Sequence, residues 1–261
     1  MKLPLYQIDA FTSRMFGGNP AAVVLLDTWL PDRALQAIAA ENNLAETAFV
    51  VPRGEIMPLR WFTPTVEVDL CGHATLAAAD VLFRYSFPSA KRLTFGTRSG
   101  NLTVTRDGDL LAMDFPSRPG QSVNIDDAIV SALGVRPEEL YRARDLLAIF
   151  ESEAQIRDFQ HDLGRLASID TFAITISAPG DSVDYVYRFF APRQGVPEDP
   201  VTGSANCTLV PYWAARLGKT GLVAKQLSAR GGDLRCTLRG DRVLIAGRTV
   251  EYLRGEIAVE V

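Results

Sequence analysis

Two passages of this sequence put chemistry-bearing side chains at matching positions. Phe62-Thr63-Pro64 leads to Glu67-Val68-Asp69-Leu70-Cys71-Gly72-His73-Ala74, and Phe190-Ala191-Pro192 leads to Glu198-Asp199-Pro200-Val201-Thr202-Gly203-Ser204-Ala205. In each, a glycine stands where a strand should end and a helix begin. The first free N–H groups of a helix point at whatever lies ahead of them, and together with the helix dipole they favour an anion. Two such ends suit a carboxylate or an enolate oxygen; a glycine that only ends a turn is the competing reading of each.

Glu46 enters an apolar strand in Asn43-Leu44-Ala45-Glu46-Thr47-Ala48-Phe49. Desolvation there would raise its pKa toward the range of a general acid/base, whereas in a helix-to-strand loop it would be an ordinary solvated carboxylate. His73 suits a proton carrier, a hydrogen-bond donor or a structurally satisfied histidine. Asp199 offers a second carboxylate or simply caps the turn or the helix. Cys71, beside a helix N-terminus, is either a thiol of lowered pKa or a small buried side chain.

The elements that must hold these residues repeat as well. The Gly-His-Ala and Gly-Ser-Ala cores lie 131 positions apart and the Phe-x-Pro cores 128 apart in a chain of 261 residues. A unit of that length is a domain, since solenoid repeats run ~20–50 residues. Two similar domains are expected, 1–117 and 118–253, with Gly72 and Gly203 facing one shared cleft. Hydrophobic spacing predicts strands over 5–10 and 21–26, a helix after Pro31 burying Leu35, Ile38 and Ala39, and strands over 47–51 and 59–62. A helix follows from Gly72, with Leu76, Ala79, Leu82 and Phe83 inward. A strand meander over 93–115 turns at Arg106-Asp107-Gly108-Asp109. Pro116-Ser117-Arg118-Pro119-Gly120 reads as a linker. Helices over 125–133 and 153–163, strands over 172–177 and 183–190, and a helix over 208–217 complete the second half. The class is α+β, each half a curved sheet around a central helix.

Composition narrows the function. The formal net charge is −4 with no long Lys/Arg run, which gives no support to nucleic-acid or membrane-surface binding and favours a small molecule. Cys71, Cys207 and Cys236 lack metal-ligand spacing, and two histidines are few for a zinc site, so no metal is expected. The first residues lack an apolar signal region and no run of ~18 apolar residues follows, which points to a cytoplasmic, reducing location.

With these residues in place the sequence resembles the PhzF-like isomerase family, named for a phenazine-biosynthesis enzyme, within the diaminopimelate epimerase-like superfamily. The matching segments are Ile8-Asp9-Ala10-Phe11 with Gly18-Asn19-Pro20, the stretch around Glu46, and the two passages that opened this section. The resemblance implies a diaminopimelate epimerase-like fold of two pseudo-twofold-related domains, the final strand (about 254–261) rejoining the first. It also implies a cofactor-free active site in the cleft and a homodimer. By motif, Glu46 matches the general acid/base, and His73 and Asp199 its polar partners. Ser204 and the N–H groups near Gly72 and Gly203 match carboxylate-binding helix ends, and Asn19 a substrate-side position. In the related epimerases two cysteines act as acid and base. Cys71 matches the first, but Thr202 stands at the second, and its hydroxyl is too weak an acid or base to replace a thiol.

The function expected on this basis is cofactor-independent isomerisation of a small carboxylate-bearing metabolite, with Glu46 moving the proton. The alternatives are a Cys71/Thr202-dependent dehydratase or epimerase of an amino or hydroxy acid, and a non-catalytic ligand- or partner-binding protein of the same fold.

Overall fold

The computed structural model describes residues 1–260. The chain divides into two compact units, Met1–Asp114 with the segment from Ala246 onward, and Phe115–Ile245.

In the first unit, β1 (Lys2–Ala10) and β2 (Asn19–Leu25) pair antiparallel, Ala10 opposite Asn19. The intervening turn depends on Gly18: its φ is +65° and a Cβ there would lie 2.1 Å from the Ala10 carbonyl oxygen, a conformation and a space that only glycine fits. Helix α1 (Asp32–Asn42) follows Pro31, buries Leu35, Ile38 and Ala39 as their spacing predicts, and stops at Asn43 in a left-handed conformation. Strand β3 (Glu46–Val50) lies parallel to β2, and β4 (Ile56–Phe62) antiparallel to β3.

After the short β5 (Glu67–Val68) comes α2 (Gly72–Tyr85), whose residues from His73 to Phe83 are all buried. A helix enclosed on every side cannot show the amphipathic period of a surface helix. Its alanines let backbone approach closely, while Leu76, Val81, Leu82 and Phe83 each contribute ~1.5–3 kcal/mol of burial. Strand β6 (Arg92–Thr97) runs parallel to β4, and β7 (Gly100–Asp107) and β8 (Leu110–Pro116) continue as an antiparallel meander. The final strand, Thr249–Ala258, lies antiparallel along β1.

The second unit repeats the alternation of antiparallel and parallel strand pairs, with a helix added ahead of its first hairpin. After β9 (Gln121–Ser122) and α3 (Asp127–Leu133), strands β10 (Glu139–Arg142) and β11 (Leu146–Ile149) pair antiparallel. Helices α4 (Glu153–Arg157) and α5 (Leu163–Ser168) lead to β12 (Ile174–Pro179), parallel to β11, and β13 (Tyr185–Phe190), antiparallel to β12. A 3₁₀ turn, Gly203–Ala205, opens α6 (Asn206–Leu217); β14 (Gly221–Gln226) lies parallel to β13, β15 (Gly232–Arg239) antiparallel to β14, and β16 (Arg242–Gly247) follows.

Three local expectations change. The helix expected over 153–163 is two short helices, because Ser152 and Gln155 form a capping box at the first and Asp162 accepts from the Arg165 N–H to start the second. The stretch 116–120 is not a free linker: the Ser117 N–H donates to Asp241 O (2.7 Å) and the Arg118 N–H to Cys207 O (2.8 Å). Strands β10 and β11 fall where no strand is expected, β11 being a wholly buried apolar run without alternation. Among the described residues no helix is long and apolar enough to cross a membrane.

Candidate active site

The first unit gathers four of the expected site residues. Glu46 is the first residue of β3. Cys71 precedes α2 with an extended backbone, and its carbonyl accepts both the Thr75 N–H (3.2 Å) and the Thr75 hydroxyl (2.6 Å). His73 therefore sits in the first turn of a helix whose start is fixed. Its Nε2 lies 3.0 Å from Glu46 Oε2 and its Nδ1 lies 3.2 Å from Asn19 Nδ2 and 3.5 Å from Cys71 Sγ. Asn19 is fully buried at the head of β2, where the Gly18 turn delivers it. The Glu46 side chain retains 19% exposure while Oε2 itself is shielded beside His73.

The electrostatics correct one expectation. Burial does push the Glu46 carboxyl upward, but the His73 charge and hydrogen bond, helped by the Cys71 thiol, outweigh it and hold Glu46 below its ordinary value. His73 shows the converse. Desolvation works against the imidazolium, yet the Cys71 sulfur and the Glu46 carboxylate raise it well above the usual histidine range. Cys71 is pushed up to about 11, chiefly by burial and then by the Glu46 charge. The helix N-terminus does not activate this thiol. Cys71 Sγ, His73 nitrogen and Glu46 oxygen all lie within 4.8 Å of one another, a grouping of donor types that could hold a metal ion.

The second unit assembles Asp199, Thr202, Gly203 and Ser204 at the start of α6. The Thr202 hydroxyl donates to Asp199 Oδ2 in a short contact. Fully buried Gln226, at the end of β14, clamps the same loop: its Oε1 accepts the Thr202 N–H (2.7 Å) and its Nε2 donates to Asp199 O (2.6 Å). Asn206 Nδ2 reaches the carbonyl oxygens of Thr202 (3.3 Å) and Gly203 (3.2 Å), while its Oδ1 accepts from the Tyr185 hydroxyl (2.6 Å). In trans peptide planes the N–H opposes the carbonyl, so the N–H groups of Gly203 and Ser204 face away from Asn206. That arrangement can receive an anion. Gly232 completes it, since a Cβ there would meet Val201 Cγ2 at 2.3 Å.

Sequence reasoning missed Gln226, Asn206 and two arginines. Arg60 grips Glu67 with Nε–Oε1 at 2.7 Å and Nη2–Oε2 at 2.8 Å; Arg188 grips Glu198 the same way at 2.7 and 2.9 Å. The signal was in the repeat: each arginine stands two residues before the Phe of Phe-x-Pro. Gln226 also left a trace, as a polar residue on the buried phase of the alternating strand β14.

The two units differ where the chemistry is. Thr47 lies opposite Phe62 and Ile174 opposite Phe190, the two phenylalanines of the repeated Phe-x-Pro, so the residue that matches Glu46 in the second unit is Ala173. The carboxylate occupies one unit only, just as the thiol Cys71 is matched by Thr202.

Comparison with known proteins agrees with the geometry. A sequence profile described as phenazine biosynthesis-like protein, PhzC-PhzF, matches residues 8–255. An uncharacterized isomerase from Pseudomonas aeruginosa is 50% identical over 258 residues, 98% of this chain and 99% of that one. The crystal structure of a PhzF-family phenazine biosynthesis protein from Enterococcus faecalis superposes with a TM-score of 0.97 at 43% identity, over 99% of this chain and 100% of that one. The fold extends to hydroxyproline epimerase from Agrobacterium vitis, at a TM-score of 0.63 and 10% identity over 99% of this chain and 93% of that one. With an epimerase-like fold, a matching profile over nearly its whole length and relatives this near, the chain belongs to the phenazine biosynthesis-like family that includes the PhzF proteins.

Proposed function

We propose that this protein is a cofactor-independent isomerase that moves a proton on a small carboxylate-bearing metabolite, with Glu46 as the general acid/base. The observation that carries this reading is the Glu46–His73 contact of 3.0 Å in a shielded setting. His73 keeps Glu46 ionised and ready to accept a proton, while burial makes the protonated carboxyl that follows tolerable. Glu46 takes the proton from an acidic carbon, and the electron pair left behind spreads into the adjacent π-system. The same carboxyl returns the proton at another carbon of that system, so the net change is a shifted double bond.

The asymmetry of the repeat supports one base rather than two. A two-base racemase needs two proton carriers, and the positions that match Glu46 and Cys71 in the repeat are Ala173 and Thr202, neither of which is one. His73 is the polar partner of Glu46. Asp199 and Thr202, with the N–H groups of Gly203 and Ser204, are the substrate-binding elements of the second unit, and Asn19, Cys71 and Gly72 those of the first. The dehydratase reading is weaker: a thiol at about 11 is a thiolate in only roughly one molecule in 10⁴ at neutral pH.

The test is a screen of small carboxylic acids in deuterated buffer, reading deuterium incorporation at carbon by NMR. Incorporation by the wild type that vanishes in Glu46→Gln is the expected result. Equal incorporation by both proteins refutes the mechanism.

A further inference from the structure

We propose that Glu46, Cys71 and His73 also form a binding site for a borderline-soft divalent cation, zinc or cadmium. The first ground is geometric. Bonds of about 2.0–2.3 Å from zinc to O, N and S put the corners of a coordination tetrahedron roughly 3.3–3.6 Å apart. The donor atoms here are separated by 3.0 Å (Glu46 Oε2 to His73 Nε2) and 4.0 Å (Cys71 Sγ to His73 Nε2). The three donors all lie within 4.8 Å of one another, so shifts of up to about an ångström bring them onto one ion.

The second ground is donor chemistry. A thiolate, an imidazole and a carboxylate are the side chains that zinc takes, and one sulfur with one nitrogen disfavours calcium or magnesium, which select oxygen. Three protein donors leave a fourth position for water or an anion, as in open zinc sites.

The third ground is support. Cys71 is pinned by Thr75 and His73 belongs to the same helix start, while Glu46 begins a buried strand. The donors thus sit on regular elements rather than on a loop tip. Binding through Nε2 puts the ring proton on Nδ1, so the Asn19 amide, whose Nδ2 lies 3.2 Å from Nδ1, must turn to present Oδ1 as the acceptor that orients the ring. Among the described residues no other group of three His, Cys, Asp or Glu side chains converges in this way.

The ion is an inhibitor rather than a helper, and this consequence rests on the proposed role of Glu46: a cation on Oε2 occupies the lone pair that would accept the proton. Zinc or cadmium in the cell would then shut the protein down without touching its fold.

The experiment reads binding separately from turnover. Cadmium is titrated into the full chain and the thiolate-to-cadmium charge-transfer absorption is followed in the ultraviolet. The expected result is a band that saturates at one equivalent, is lost in Cys71→Ser, and persists in a Cys207→Ala/Cys236→Ala variant. Affinity should fall about ten-fold or more in Glu46→Gln and in His73→Gln. Undiminished affinity in both of those variants, or a band that survives Cys71→Ser, overturns the site. Should Cys71→Ser fail to fold, zinc-edge absorption on the wild type decides: one sulfur among light donors supports the site and a shell without sulfur refutes it. Deuterium exchange measured on the loaded protein keeps the two ideas apart. Binding at these three side chains without loss of exchange leaves the site standing and refutes Glu46 as the base, whereas absence of binding refutes the site alone.

Discussion

Glu46 Oε2 and His73 Nε2 stand 3.0 Å apart, the carboxylate on the first residue of a strand and the imidazole in the first turn of the enclosed helix. Two opposed effects meet there. Burial alone would raise the Glu46 pKa, and the neighbouring His73 charge lowers it. An opposite charge within ~4–6 Å favours the ionised carboxyl, and here that charge together with the His73 and Cys71 hydrogen bonds outweighs burial, the largest single effect. The resting pair is a carboxylate beside a proton-bearing ring, so a base is available before substrate arrives.

Removing the proton carrier while keeping its shape is the most direct test of that arrangement. Glu46→Gln retains the hydrogen-bonding outline, so substrate affinity should survive while turnover and deuterium exchange fall by ~10²–10⁴-fold, the usual range for a positioned general acid/base. Cys71→Ser should cost far less, since its buried thiol stays protonated. The reverse ranking, measured by exchange on the same substrate, would transfer the role to Cys71.

Removing the ring tests the electrostatics instead. Glu46 is held below its ordinary value of 4.5 by His73, so in the wild type the base is lost only as pH falls below that value. In His73→Gln the counter-charge is gone and burial is unopposed. The Glu46 pKa then rises, and the acid limb of kcat/KM against pH should move to higher pH. A limb that stays in place in His73→Gln would mean that His73 does not set the protonation of Glu46.

What was readable in the sequence, and what was not, follows from the range of the forces involved. The helix start at Gly72, the strand at Glu46 and the inward face of α1 are local, set by turn chemistry and spacing, and they stand where expected. The Glu46–His73 pairing joins positions 27 residues apart, so the sequence showed both groups but not the sign of the pKa shift, which depends on their separation in space. Burial on all sides of α2 erased the amphipathic signal that would have marked its limits. Gln226 was hidden for a related reason: it acts on Asp199 and Thr202 through backbone atoms, and backbone partners leave no motif.

Gln226 therefore carries its own prediction. It accepts the Thr202 N–H and donates to Asp199 O, and it is fully buried. Gln226→Leu keeps the bulk but leaves a buried donor and a buried acceptor unpaired, a loss of about 1–3 kcal/mol for each. Urea unfolding should show a drop of that order, and in a substrate-exchange assay KM should rise more than kcat falls, as expected of a residue that only holds the binding loop. A stability equal to wild type would mean that the loop finds other partners.

The repeated arginines are the last case, and they ask whether the duplicated frame is held by charge or by packing. Arg188 is nearly enclosed, with side-chain exposures of 10% for it and 18% for Glu198, and its Nη1 also donates to Ile156 O (3.3 Å) and Phe159 O (2.9 Å). Arg188→Met leaves Glu198 charged without its partner and two carbonyl oxygens without their donor. Removing one member of such a pair costs about 3–5 kcal/mol. Replacing both, Arg188→Met with Glu198→Met, should recover much of that loss, because the desolvation cost of both charges disappears with their attraction. The exposed pair Lys2–Glu256, with side chains 75% and 61% exposed, serves as the control: Lys2→Met should change stability by no more than about 0.5 kcal/mol. Chemical denaturation of the four proteins measures all of these differences. A double variant as unstable as Arg188→Met alone would show that the carbonyl contacts of the arginine, rather than its ion pair, hold Glu198 and the adjoining Asp199 in register.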